Sequence, residues 1–119
     1  MFYLAGVLFV FFKYNYLLIK EMAKRPKHDQ TCHNTSVAKR AAGLKANGWK
    51  VKADIKGYTT PSTLNGRRPD IVAKKGKKTR IIEVETQNTK RRDRNQHRDL
   101  RDYANNHKNT EFRMRTCET

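Results

Sequence analysis

The sequence predicts an α/β domain in which a mixed central sheet is flanked by helices, in the element order αβββαβ. Two observations support this class. Apolar residues recur at helical spacing in two segments, and β-branched or alternating apolar and polar runs occupy the segments between and after them. A length of 119 residues allows one domain with a small core. A hydrophobic N-terminal segment precedes this predicted domain.

The first helix is expected to begin at Thr35 or Ser36, because either hydroxyl group can cap it. Its apolar positions follow the i, i+4, i+7 spacing of one helix face: Val37, Ala41 and Leu44. The pair Asn47-Gly48 provides a left-handed stop. Residues 22–34 before the helix are polar, basic and without an apolar period, so they are interpreted as a flexible basic leader.

Three strands and a long loop are expected next. Residues 49–55 (WKVKADI) alternate apolar and polar side chains, which is typical of a half-buried strand. Residues 56–68 contain turn-forming residues and make a loop longer than the usual connection, and such loops are often functional. Residues 69–73 (PDIVA) and 79–86 (TRIIEVET) read as two buried strands joined by a hairpin turn at Gly76.

A second helix is expected from Asn88 or Thr89 to about Asn106, with Leu100, Tyr103 and Ala104 on its inner face. Its other faces carry many arginines. Residues 111–117 (EFRMRTC) alternate again and predict the final strand. The predicted α/β domain therefore covers residues 35–119.

The net charge predicts a polyanionic partner. The chain has 27 Lys and Arg against 11 Asp and Glu, a formal charge of +16. So large a surplus repels itself in the folded state, and nucleic acid is the first candidate partner because phosphate contacts release counterions. An anionic membrane is the second candidate and an RNA-rich assembly such as a ribosome is the third.

The two cysteines, Cys32 and Cys117, are too few for a disulfide framework and show no CxxC spacing. They are expected to be reduced thiols in a cytoplasmic protein. A four-ligand set at the spacing of a zinc finger is also missing from the sequence.

The first 21 residues leave two interpretations open. Residues 1–19 are nearly all apolar and long enough for a bilayer span of about 20 residues. A signal peptide fits less well, because no basic region precedes the apolar run and no small-residue cleavage site follows it. Met22 begins a basic segment that is a plausible alternative start, so residues 1–21 are either an over-extended start or a membrane anchor. The protein is expected to be cytoplasmic, or membrane-associated if the anchor is genuine.

The acidic residues of two predicted strands indicate a metal site. Glu83 and Glu85 are two residues apart, so their side chains leave the strand on one face, while Ile82 and Val84 point to the other. Like charges at this spacing repel, and burial would raise their pKa values. A bound divalent cation would remove that penalty, since oxygen ligands suit Mg²⁺.

Asp70 opens the neighbouring strand of the same hairpin, where antiparallel pairing places it near Glu83 and Glu85. Three such carboxylates can hold one or two metal ions that activate water and neutralise a phosphate. Gln87 is expected to orient that water, and Lys90 to contact the phosphate that is cut. The alternative is that the glutamates pair with cationic side chains of the hairpin: Lys77, Lys78 and Arg80.

Pro69-Asp70 followed by Glu83-Val84-Glu85, with the apolar strands DIVA and RIIEVE around them, resembles the restriction-endonuclease-like PD-(D/E)xK superfamily. The similarity extends over about residues 35–117, because the αβββαβ order is the core of that superfamily. Within it, the chain looks most like small archaeal Holliday junction resolvases and related endonucleases. Two features depart from the family pattern: Glu85 stands in place of the usual lysine, and residues 37–47 lack the acid that resolvases carry on the first helix.

The resemblance implies Mg²⁺- or Mn²⁺-dependent phosphodiester hydrolysis of DNA, by an endonuclease or junction resolvase. Asp70 and Glu83 would hold the metal ion, with Glu85 as a third ligand or as general base. Eight basic residues would grip the phosphate backbone: Arg67, Arg68, Lys74, Lys75, Arg91, Arg92, Arg94 and Arg98.

Duplex or branched DNA is the expected substrate, RNA is the alternative, and the thin core and the resemblance predict a homodimer. Two other functions stay open from the sequence. One is a nuclease-fold protein that binds nucleic acid without cutting it, and the other is a membrane-anchored basic protein.

Overall fold

A four-stranded mixed sheet forms the centre of the structure, a computed structural model that describes residues 27–117. The elements are α1 (Lys27–Ala46), β1 (Lys50–Ala53), β2 (Ile71–Lys75), β3 (Lys78–Glu85), α2 (Arg94–Asn105) and β4 (Thr110–Thr116). The predicted α/β class and element order are therefore confirmed. The hydrophobic segment 1–21 lies outside the described residues. Across residues 27–117, the structure contains no helix with the length and apolar character that a bilayer span requires.

The strands lie in the order β1-β2-β3-β4. The first three form antiparallel pairs, and β4 runs parallel to β3. In the β2–β3 hairpin Ile71 pairs with Ile82, so the start of β2 lies beside the end of β3, as the sequence predicted. The hairpin turn contains Gly76 at φ +59, a left-handed conformation that glycine adopts without steric cost.

Each face of the sheet is covered by one helix. Ile82 and Val84 of β3 pack with Val37 and Ala41 of α1. The alternate residue Ile81 packs with Leu100 of α2. Because neighbouring side chains in a strand point to opposite faces, Glu83 and Glu85 share the α2 face with Ile81.

Helix α1 covers Lys27–Ala46, so the expected cap at Thr35 or Ser36 and the flexible character of the leader are wrong for residues 27–34. The helical extension is anchored by contacts between residues far apart in sequence. Cys32 is joined to Cys117, and His33 Nε2 lies 3.1 Å from Asp70 Oδ2. Contacts of this kind leave no periodic signal in the sequence.

The expectation of two reduced thiols is also wrong in the structure, since Cys32 and Cys117 form a disulfide. Their Cα atoms are 5.9 Å apart although 85 positions separate them in sequence. The first part of α1 packs beside the end of β4, and this tertiary proximity cannot be read from cysteine spacing. The bond joins α1 to the residue that directly follows β4.

The second helix begins at Arg94, after turns over residues 87–93, and not at Asn88 or Thr89. Thr89 does not cap a helix: its hydroxyl oxygen accepts a hydrogen bond from the backbone N–H of Thr86 at 3.0 Å, and the same hydroxyl group donates to Glu85 Oε2. Leu100 and Ala104 are buried as predicted, and Tyr103 is half-buried. The core-facing stripe of α2 therefore follows the predicted spacing.

Candidate metal centre

Two buried glutamates lie at the end of the sheet where β2 begins and β3 ends. Glu83 is 1% exposed and Glu85 is fully buried. Across residues 27–117 neither of them forms an ion pair with a lysine or arginine. The alternative in which they pair with cationic side chains of the hairpin is therefore wrong, and Arg80 pairs with Glu111 instead.

Glu83 accepts two hydrogen bonds. Its Oε1 accepts from the backbone N–H of Asp70 at 2.9 Å, and its Oε2 accepts from the side-chain amide of Gln96 at 3.1 Å. Burial and the nearby charge of Asp70 raise the pKa of Glu83 to about 9. Without a cation beside it, this side chain is therefore mainly protonated at neutral pH.

Glu85 is held by residues that follow it in the chain. Its Oε2 accepts from the hydroxyl group of Thr89 at 2.6 Å, and its Oε1 lies 2.9 Å from His97 Nε2. Burial raises the pKa of Glu85, while the hydrogen bonds from Thr89 and His97 oppose that rise. The carboxylate is fixed at both oxygens.

His97 completes a group of three possible metal ligands. It lies on α2, is 5% exposed, and offers a ring nitrogen within 4.8 Å of one oxygen each from Glu83 and Glu85. Two ligands that are each about 2.1 Å from one ion and at right angles to each other are about 3 Å apart. The 2.9 Å between Glu85 Oε1 and His97 Nε2 matches that separation. The donor set therefore fits a divalent cation after small side-chain shifts.

The sequence prediction missed His97, although a signal was present. His97 lies three residues before Leu100 and so occupies the same inward stripe of α2. A histidine on the face that packs toward Glu83 and Glu85 is a candidate ligand. Its identity also widens the choice of metal, because imidazole suits Zn²⁺ and Fe²⁺ while carboxylates suit Mg²⁺ and Mn²⁺.

Asp70 lies beside this group and is not one of the three residues that meet within 4.8 Å. Its Oδ2 accepts a hydrogen bond from the backbone N–H of Val84 at 2.8 Å and faces His33 of α1 at 3.1 Å. The structure thus brings the three predicted acids to one end of the sheet and directs the carboxylate of Asp70 toward α1. The sequence prediction also missed His33, which lay in the presumed leader.

A cationic groove of about 590 Å³, the α2 groove, reaches His97 from the protein surface. It is lined by Gln87, Lys90, Arg91, Arg94, His97, Arg98, Arg101 and Met114. Gln87 and Lys90 are both exposed there, so the structure places these two predicted site residues in the same groove as His97. Of the three candidate metal ligands, His97 is the one that lines this groove, and the arginines of α2 lie around it.

The remaining predicted phosphate contacts do not line the α2 groove. Arg92 pairs with Asp93 at 3.3 Å, and Arg67 pairs with Asp99 at 3.0 Å. Lys75 donates to the carbonyl oxygen of Asn47. Two others are exposed outside the groove: Arg68 and Lys74.

Comparison of the chain with protein-family models, with curated proteins and with solved structures finds no match. The function is therefore inferred from the geometry of the residues themselves.

Proposed function

We propose that the protein is a metal-dependent nuclease with a restriction-endonuclease-like core, in which Glu83, Glu85 and His97 hold a divalent cation. The observation that carries this proposal is the meeting of two buried glutamates and a buried histidine beside a groove lined by arginines. Metal-dependent hydrolysis of nucleic acid would use both parts, since the cation would act at the phosphate and the arginines would hold the backbone. The parallel β3–β4 pair after an antiparallel hairpin also agrees with the proposed core.

The burial of the glutamates supports a cation as their partner. Carboxylates taken out of water without a counter-charge are unfavourable, and here the pKa of Glu83 rises to about 9. A divalent cation would displace the proton and favour both ionised side chains. When bound, it supplies a Lewis acid that neutralises charge on the phosphate and lowers the pKa of an attacking water.

Neighbouring residues hold the proposed ligands in place. Gln96 orients Glu83, and Thr89 orients Glu85 through a 2.6 Å hydrogen bond. Asp70 positions Glu83 through its backbone N–H and is coupled to α1 through His33. Such supporting contacts set the direction of each ligand and tune the site.

Cationic side chains of the α2 groove replace the lysine that the resembled family carries at the position of Glu85. Lys90 and Arg94 line the same groove as His97, so a phosphate seated there lies among positive charges. Gln87 lines the groove as well and is proposed to hydrogen-bond the water that attacks the phosphate. Glu85 then serves as a ligand of the cation and does not need to supply the positive charge of that lysine.

Duplex or branched DNA is the proposed substrate, and RNA is the alternative, because both present phosphates to a basic groove. The homodimer and the cytoplasmic location stay predictions from the sequence.

Cleavage of plasmid DNA by the purified full-length protein tests the proposal. We expect cutting with Mn²⁺ or Mg²⁺ and none with excess chelator. Glu83→Gln and His97→Ala should each lower the rate by about 100-fold or more, since they remove direct ligands and even supporting contacts cost 10- to 100-fold. Lys77→Gln, in the exposed β2–β3 turn, is the matched control and should cut like the wild type.

Cleavage that survives both Glu83→Gln and His97→Ala would defeat the proposed centre. DNA binding without cutting, in any of the added metals, would assign the protein to non-catalytic nucleic-acid binding instead. Binding of Mn²⁺ measured by calorimetry gives a readout that does not depend on activity.

A further inference from the structure

A second cationic cluster lies on the opposite face of the sheet from the candidate metal centre. It lines a pocket of about 470 Å³ between α1, β3 and β4, here called the α1–β4 pocket. Its polar lining comprises Ser36, Lys39, Arg40, Asn47, Arg80, Arg113 and Arg115. The strand register explains the cluster, because Ile82 pairs with Arg113 and Val84 with Arg115, so these arginines point to the α1 face.

Glu111 lies near this pocket, and its carboxylate already pairs with two of the arginines, Arg80 and Arg113. Glu111 accepts from Arg80, whose guanidinium also lies 4.6 Å from the ring centre of Trp49. Arg113 lies 3.3 Å from the other carboxylate oxygen of Glu111. The hydrogen bond from Arg80 lowers the pKa of Glu111, as expected for a carboxylate between two guanidinium groups.

Arg40 and Arg115 have no carboxylate partner in the part of the chain that the structure describes. Arg40 Nε is buried and has no hydrogen-bond acceptor within residues 27–117. Burial and the charge of Arg115 lower the pKa of Arg40, so the two guanidinium groups are close enough to repel each other. An anion bound in the pocket that both side chains line would offset this repulsion.

The geometry points to a phosphate group as the ligand of the α1–β4 pocket. Guanidinium groups donate two parallel hydrogen bonds to phosphate oxygens, and the pocket is lined by two arginines, Arg40 and Arg115, that have no carboxylate partner among the described residues. Lys39 and the hydroxyl group of Ser36 on the same helix provide further donors. A carboxylate fits a pocket with this many cationic side chains less well, since it carries one negative charge where a phosphate group carries up to two and has more acceptor oxygens.

The source of the phosphate is inferred to be a nucleic acid strand that crosses the edge of the sheet. β4 is an edge strand, and its alternate residues border both cationic surfaces. Met114 lines the α2 groove, while Arg113 and Arg115 line the α1–β4 pocket. A strand passing over β4 would therefore meet both surfaces. The inference that the phosphate belongs to a nucleic acid rests on the proposed function, whereas the inference of a phosphate site does not.

Calorimetry of the full-length protein tests the site, with inorganic phosphate and a short single-stranded DNA oligonucleotide as probes. Chelator is present throughout, so binding does not depend on the metal centre. Arg40→Gln and Arg115→Gln should each weaken phosphate binding by about tenfold or more, because each removes charged hydrogen bonds. Lys77→Gln removes the same charge outside both surfaces and should change it by less than about twofold.

Arg115→Lys distinguishes a phosphate site from a loss of folding. It keeps the charge and loses the paired donors, so phosphate binding should be intermediate while the melting temperature stays close to that of the wild type. Unchanged phosphate affinity in both glutamine variants would overturn the site. Weakened oligonucleotide binding in the same variants supports the nucleic-acid source. Weakened phosphate binding with unchanged oligonucleotide binding would overturn that source and leave a site for free phosphate. Failure of the proposed nuclease is seen separately, as absence of cleavage by the wild type.

Discussion

Glu83 links the stability of the metal-free protein to pH. Its pKa in the folded state is about 9, above the ordinary value of 4.5. A group whose folded pKa is raised stabilises the fold fully below the unfolded pKa, and this contribution is lost as pH rises through the folded pKa. The metal-free protein should therefore lose stability as pH rises from about 4.5 toward about 9.

Glu83→Gln should flatten this pH dependence, because an amide keeps the shape of the neutral acid and does not ionise. Thermal unfolding of the chelated wild type and variant at several pH values measures the difference. Added Mn²⁺ should raise the melting temperature of the wild type most at high pH, where cation and proton no longer compete. Parallel pH profiles in wild type and variant would contradict this role of Glu83.

His97 should set the preference among metals. An imidazole ligand favours later transition metals such as Zn²⁺ over Mg²⁺, which prefers oxygen ligands. We expect the wild type to bind Zn²⁺ at least about tenfold more tightly than Mg²⁺ and His97→Asp to narrow that ratio. Calorimetry with each ion measures it, and an unchanged ratio in His97→Asp would show that His97 is not a ligand.

Asp70, Glu83 and Glu85 were predictable because strand alternation and hairpin pairing place them from local sequence alone. His97 and His33 were not predicted, since each reaches the site through contacts between elements. Their positions depend on how α2 and α1 pack on the sheet. Sequence periodicity gives the inward stripe of a helix but not the strand residue that the stripe meets.

The Cys32–Cys117 disulfide is the strongest link between α1 and the rest of the fold. The disulfide lies beside the candidate metal centre. The backbone N–H of Cys117 donates to the carbonyl oxygen of Glu85, and His33, the residue after Cys32, contacts Asp70. Breaking it, by reductant or by Cys32→Ser, should lower the free energy of unfolding by about 2–4 kcal/mol. Chemical denaturation measures this loss.

Reductant added to Cys32→Ser serves as the control and should cause no further change. An equal stability of oxidised and reduced wild type would show that the bond adds nothing to the fold. Because disulfides persist mainly in oxidising compartments, alkylation of the protein taken directly from cells also tests the predicted cytoplasmic location.

The sequence predicted which segments form helices and strands, but it misplaced the starts of both helices. The cap expected at Thr35 failed because the disulfide and the His33–Asp70 contact stabilise an earlier helical segment. The cap expected at Thr89 failed because its hydroxyl oxygen accepts from the backbone N–H of Thr86 while the hydroxyl group donates to Glu85. In both cases a long-range or site contact outweighed a local capping preference of about 1 kcal/mol.

The charge of the complete domain should make nucleic acid binding strongly dependent on salt. The chain carries +16, and five cationic side chains line the α2 groove. Each phosphate contact adds about 0.9 to the slope of log affinity against log salt for duplex DNA. Arg94→Gln should lower the magnitude of that slope by about 0.9, the value for one phosphate contact, whereas Lys77→Gln should leave the slope unchanged. Fluorescence anisotropy over a salt series measures the slope. Equal slopes in the two variants would show that the α2 groove does not contact the nucleic acid.

X-ray diffraction from crystals soaked in Mn²⁺, recorded at the manganese absorption edge, locates the ion directly. The proposed centre predicts an anomalous peak about 2.0–2.3 Å from oxygens of Glu83 and Glu85 and from a ring nitrogen of His97. No peak at this position under saturating Mn²⁺, or a peak that persists in Glu83→Gln, would contradict it.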